Sequence, residues 1–145
     1  FWYRTTDDTV SNNPMSQRSD GTPSEGFSTW ILETRPQVNK IEVVVYEDLD
    51  WSRSTGLKDM TLVADTWYHI AMVSDSGTVQ FYRNGIASGT TSSNMLIGNV
   101  PQELCVGAYR YTYPNPSYGA FFEGYLDEIR ISKGIARWDS NFTVY

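Results

Sequence analysis

Residues 66–85, TWYHIAMVSDSGTVQFYRNG, constrain the fold more than any other stretch of the chain. Apolar and polar positions alternate on both sides of Asp75-Ser76-Gly77, and the second run ends at Asn84-Gly85. A period of two sends successive side chains to opposite faces of a strand. Asn-Gly is the pair favoured where both central residues of a tight turn take positive φ. Two linked hairpins are therefore predicted here, and a chain with this texture must build antiparallel sheet.

The pattern continues in both directions. Strands are predicted over residues 1–5, 27–34, 40–47, 60–63, 66–75, 78–84, 103–109 and 121–132, separated by the turn-rich runs NNP, SDGTPSEG, DSG, RNG and NPSYG. Only GIARW, residues 134–138, reads as a helical turn. The expected architecture is all-β, a sandwich of two antiparallel sheets. With 145 residues, no repeat and no linker-like run, residues 1–145 suit one domain with a substantial core. Because FWYRT opens in the middle of a strand pattern, the chain is expected to be a segment of a longer protein or a processed product.

Composition removes several functional classes. A formal net charge of −6 argues against a general nucleic-acid binder, which needs a basic surface to displace counterions. No apolar run approaches the roughly 18 residues that cross a membrane as a helix. Cys105 is the single cysteine, so neither an internal disulfide nor a cysteine-based zinc site can form, and its strand setting, ELCVG, predicts a buried thiol. No Gly-x-Ser-x-Gly elbow, P-loop or dinucleotide fingerprint is present. His69 is the single histidine and shares a strand face with Trp67, Ala71 and Val73, which predicts a packed, hydrogen-bonded structural residue.

The segments WYHIAMVSDSGTVQFYRNG, LCVGAY and FFEGYLDEIRISKGIARWDSNFTVY follow one another in an order that resembles the laminin-G-like, concanavalin A-like lectin/glucanase domains. The likeness rests on Trp67, His69 and Ala71; on Tyr82, Gly85 and Gly107; on Gly124, Asp127, Glu128, Arg130 and Ile131; and on Ala136, Arg137, Trp138, Asn141, Phe142 and Thr143. It is closest over residues 66–145, and FWYRT resembles an early strand of the same family, so the resemblance implies that the first strand of the domain is missing from this segment. The resemblance implies a concanavalin A-like jelly roll, with Trp67, His69 and Arg137 as structural residues. The fold alone implies no function, since it hosts lectins, adhesion modules, capsid and tail domains, and glycosidases.

Three features are candidate sites. In FEGYLDEIRIS, alternation puts Asp127 on the face of Ile129 and Ile131, so an inward Asp127 is expected, satisfied by backbone amides, by Arg137, or by one structural calcium. The loop YRYTYPNPSYGAFF, residues 109–122, gathers Tyr109, Arg110, Tyr111, Tyr113 and Tyr118 into a candidate ligand-binding surface, because a tyrosine offers an apolar face and a hydroxyl together. The residues leave open whether these tyrosines bind or merely cover the end of the sandwich. The acidic run YEDLDW, residues 46–51, lacks the alternating carboxylates of the family's glucanases and reads as a solvated loop. Trp30 and Trp51 remain open between core and platform.

The expected function is a non-catalytic binding module, recognising a glycan or docking to a neighbouring protein subunit, on an extracellular or virion-surface protein. The alternative is a structural or assembly domain of a phage tail, capsid decoration or filament. A glycoside hydrolase comes third, because the paired carboxylates it needs are missing.

Overall fold

The computed structural model describes residues 1–18, 28–47, 54–58, 60–92, 103–111 and 117–145. Among them the strands are β1 (Trp2–Thr5), β2 (Asn12–Arg18), β3 (Ser28–Arg35), β4 (Lys40–Glu47), β5 (Ser54–Lys58), β6 (Tyr68–Asp75), β7 (Thr78–Arg83), β8 (Ile86–Ser92), β9 (Leu104–Val106), β10 (Tyr109–Tyr111), β11 (Ser117–Gly119) and β12 (Gly124–Asp127). One five-stranded sheet runs β12-β1-β6-β7-β8 and the other β5-β4-β3-β2-β9, with β10-β11 as a separate hairpin. Every described pairing is antiparallel. The two predicted turns form as expected: Ser76 and Gly77 have φ of 50° and 80°, and Asn84 and Gly85 have 51° and 78°.

The sheets enclose one apolar core. Tyr3, Ile70, Val79 and Phe81 enter it from the first sheet, and Met15, Leu32, Ile41 and Val43 from the second. Each such side chain contributes about 1.5–3 kcal/mol by leaving water. A small polar network crosses the same space. The Tyr3 hydroxyl meets Thr34 Oγ1 at 3.1 Å, the Thr34 hydroxyl donates to the Asn12 carbonyl at 3.4 Å, and Asn12 Oδ1 accepts the Glu123 amide at 3.1 Å. These bonds satisfy groups whose burial would otherwise be costly, and they tie β1 of one sheet to β2 and β3 of the other. Trp30 packs against this core, its Nε1 donating to Gln17 Oε1 at 3.0 Å, which makes it a core residue; Trp51 lies outside the described residues.

The structure departs from the sequence reading at several points. β2 contains the NNP run taken for a separator; the register shifts between Asn12 and Met15, so Pro14 sits at an irregularity where its missing N–H costs nothing. Residues 60–63 are not a strand, although Met60 and Leu62 are buried, so their alternation reports burial alone. The stretch 103–109 breaks at Gly107, φ 72°, into β9 and β10. GIARW forms no helix. β12 ends at Asp127, far short of residue 132, because Glu128 takes φ 47°.

Candidate functional site

That early end to β12 changes the role of Asp127. Leu126 is registered with the buried Tyr3 and packs on the core, whereas Asp127 is registered with Trp2 on the outer face and is exposed. The left-handed residue at Glu128 interrupts the alternation that would have put Asp127 in line with Ile129 and Ile131, themselves 40% and 60% exposed. Asp127 Oδ1 accepts the Glu128 amide at 2.7 Å, and Arg137 turns away to donate from Nε to Ser132 Oγ at 2.6 Å. The inward anchor expected at Asp127 is therefore corrected to a surface carboxylate capping its own turn. Calcium takes six to eight oxygens as a rule. Among the described residues no group of three or more His, Cys, Asp or Glu side chains gathers to hold a metal.

His69 and Trp67 stand on the outer face of the first sheet. Inward positions of β6 and its approach are Tyr68, Ile70 and Met72, which pack on the core; His69 and Ala71 point the other way. The C-terminal segment returns over this outer face and closes a second aromatic layer. Trp138 and Phe142 stack at 4.1 Å, His69 meets Trp2, Phe142 and Trp138 edge-on at 5.6, 5.8 and 6.4 Å, and Tyr82 lies 5.3 Å from Phe142. Backbone bonds fix the segment: the Phe142 amide donates to the Gly85 carbonyl at 2.8 Å, and Asn141 Oδ1 accepts the Ala87 amide at 2.8 Å. A side chain at Gly85 would run into the Phe142 carbonyl. Asn84 in turn brackets the backbone of His69, accepting its amide and donating to its carbonyl, both at 2.8 Å. His69 is thus packed as predicted, but in this outer layer. Its Nδ1 is buried without a hydrogen-bond partner among the described residues, contrary to the expected hydrogen bond, and burial holds its pKa below the ordinary value despite the Glu128 carboxylate.

The segment covers only part of the face. Over β12 and β1 the face stays open, with Trp67 42% and Tyr125 55% exposed. Arg4 lies with them, its guanidinium 5.2 Å from the Tyr125 ring centroid and bonded to Asp65 Oδ1 at 2.7 Å. Of these four residues the sequence reading singled out Trp67 alone; Asp65 lies two positions before it, whereas Arg4 and Tyr125 come from chain-distant segments that only strand register brings beside it.

The tyrosine-rich loop forms the hairpin β10-β11, set beside β2. The Ser16 hydroxyl donates to the Ala108 carbonyl at 2.9 Å, the Gly107 amide to Pro14 at 2.8 Å, and the Phe122 amide to Gly107 at 2.9 Å. Tyr109 and Arg110 are half-buried, Arg110 lying 3.5 Å from the Glu103 carboxylate, while Tyr118 is 54% exposed. Tyr111 is placed on β10, and Tyr113 lies outside the described residues. The hairpin therefore both covers and presents: its base packs on the sandwich and Tyr118 faces outward. Cys105 on β9 is buried, as expected.

One charged cluster escaped the sequence reading. Glu33 on β3 is registered directly opposite Glu42 on β4, and one guanidinium nitrogen of Arg35 contacts both carboxylates, at 2.9 and 2.8 Å. Glu42 is buried, which raises its pKa, with Arg35 pulling it down and Glu33 raising it further. A glycosidase needs one carboxyl group poised to give its proton and a second acting on the sugar; here a single arginine engages both. The acidic run at 48–50 lies outside the described residues.

Comparison with known families agrees with this architecture. The family model of the concanavalin A-like lectin/glucanases superfamily, a laminin-G-type model, matches residues 1–138. Neither the curated proteins nor the solved structures compared with the chain gave a match. With nearly the whole sequence matched and two antiparallel sheets packed around one core, the chain belongs to the concanavalin A-like lectin/glucanase superfamily.

Proposed function

We propose that the chain is a non-catalytic recognition module for neutral glycans, carried on a larger extracellular or virion-surface protein. The observation that carries this reading is the hairpin β10-β11. Hydrogen bonds at its first end hold it to β2, the Phe122 amide ties its second end back to Gly107, and it presents Tyr118 to solvent. A rigid aromatic on an anchored hairpin loses little entropy on binding, and its ring stacks on a sugar while its hydroxyl bonds to it. Membership of a superfamily that includes lectins supports the same ligand class. Catalysis has no place in the reading, since the facing carboxylates Glu33 and Glu42 share one arginine.

A glycan array probed with the whole chain tests it. Neutral oligosaccharides are expected among the hits, and Tyr118→Ala is expected to weaken hairpin-dependent hits about tenfold with an unchanged melting curve. An array without any hit overturns glycan recognition and moves the reading to the assembly alternative, in which the module docks to a neighbouring subunit.

A further inference from the structure

We propose that the open half of the first sheet's outer face is a second, separate sugar site, built from Trp67, Arg4, Tyr125 and Asp65. Its ligand class is a neutral chain of β-linked pyranoses with equatorial hydroxyls. The proposal takes glycan recognition as its premise and is independent of the hairpin.

The three larger side chains form a row across adjacent strands. Tyr125 on β12 is registered with Arg4 on β1, and Tyr3 is registered with Tyr68, so Trp67 follows beside Arg4. The Trp67 and Tyr125 rings meet at a tilt, their centroids 6.4 Å apart and their planes at 51°. Arg4 is held beside them: its guanidinium lies against the Tyr125 ring and its terminal nitrogen bonds Asp65. The adjoining turn is fixed as well. The Asp65 amide donates to the Thr5 carbonyl at 2.8 Å and the Ala64 amide to Asp8 Oδ2 at 3.1 Å. A site held this firmly before binding has little ordering left to do.

Two large aromatic rings left open beside the part of the face that the C-terminal segment covers mark a contact surface. Its charges select against ions. Arg4 and Asp65 neutralise one another, an anion would meet Asp65 and a net charge of −6, and a cation would compete with Arg4 for its carboxylate. What remains is a neutral ligand with flat apolar faces and polar edges. A pyranose whose hydroxyls are all equatorial has that shape, with axial C–H groups on both faces and hydroxyls around the rim. The faces suit Trp67 and Tyr125, and the rim reaches Asp65, whose side chain is 65% exposed. The tilt between the rings suits successive units of a twisted β-linked chain.

The test is a calorimetric titration of cellohexaose into the whole chain, with melting curves for each variant. Trp67→Ala and Tyr125→Ala are each expected to weaken binding about tenfold or more while leaving the melting midpoint in place. Trp67→Phe should retain most of the affinity, and Ile86→Ser, at an exposed residue following the Asn84-Gly85 turn, should change nothing. An α-linked mannohexaose, whose axial 2-hydroxyl interrupts an apolar face, is expected to bind more weakly. Affinity lost in Tyr118→Ala but kept in both Trp67→Ala and Tyr125→Ala overturns this site and leaves the hairpin reading intact. Failure of the unaltered chain to bind cellohexaose also overturns it, and an array with no hit removes glycan recognition as well.

Discussion

His69 carries the sharpest residue-scale consequence. Three aromatic neighbours surround it and its Nδ1 is buried without a partner among the described residues, so the neutral imidazole is the form this site accepts. Burial lowers its folded pKa below the value near 6.5 of a free imidazole. The unfolded chain therefore binds the proton more readily than the folded one. The stability His69 contributes is complete above that ordinary value and is lost as pH falls from it through the lower folded pKa. Thermal melts between about pH 7.5 and 5.5 should show the midpoint falling by a few degrees, and His69→Phe should flatten that slope. Because His69 is the single histidine, an NMR titration of its ring reads the pKa without ambiguity; a value above that of a free imidazole would sink the argument. The sequence showed that His69 would pack, since its strand neighbours alternate cleanly. It could not show that the packing lies outside the sandwich, because the residues that cover it, Trp138 and Phe142, arrive from the far end of the chain.

At the scale of elements, local chemistry was legible and register was not. Ser76-Gly77 and Asn84-Gly85 specify their turns through the backbone angles those residues tolerate, so both hairpins were readable. β12 was misread because one left-handed residue, Glu128, shifts the alternation, and β2 because Pro14 at a bulge resembles a turn. The β3-β4 pair shows the same limit. Glu33 and Glu42 lie nine positions apart in sequence yet directly opposite in the ladder, where like charges repel. Arg35 removes that repulsion by contacting both. Arg35→Ala should therefore cost more than a surface ion pair: about 2 kcal/mol, between the values for exposed and buried pairs since Arg35 is itself partly exposed. That corresponds to a fall in melting midpoint of roughly 5–8 °C. Adding Glu42→Gln to Arg35→Ala should recover much of the loss by removing one of the two stranded carboxylates. Additive effects of the two substitutions would show that the three residues do not act as a unit.

At the scale of the whole molecule, the alternating pattern determined the sandwich, while its functional surface depends on which parts of the outer faces stay open. The C-terminal segment covers part of one sheet, the hairpin β10-β11 lies beside β2 of the other, and what remains exposed includes Trp67, Tyr125 and Tyr118. These aromatics sit on a molecule of net charge −6. Long-range electrostatics should therefore repel anionic glycans at low salt and leave neutral ones unaffected, because stacking and hydrogen bonding at contact do not depend on the ionic atmosphere. Binding measured at about 50 and 500 mM sodium chloride separates the two contributions, since the screening length falls several-fold over that range. A neutral oligosaccharide such as cellohexaose should show the same affinity at both, within twofold. Sulfated or sialylated oligosaccharides should bind more weakly at low salt and gain as salt is raised. An affinity for anionic glycans that is strongest at low salt would reverse the argument, since it would require a local cationic surface, and Arg4, the arginine among the open aromatics, is already paired with Asp65.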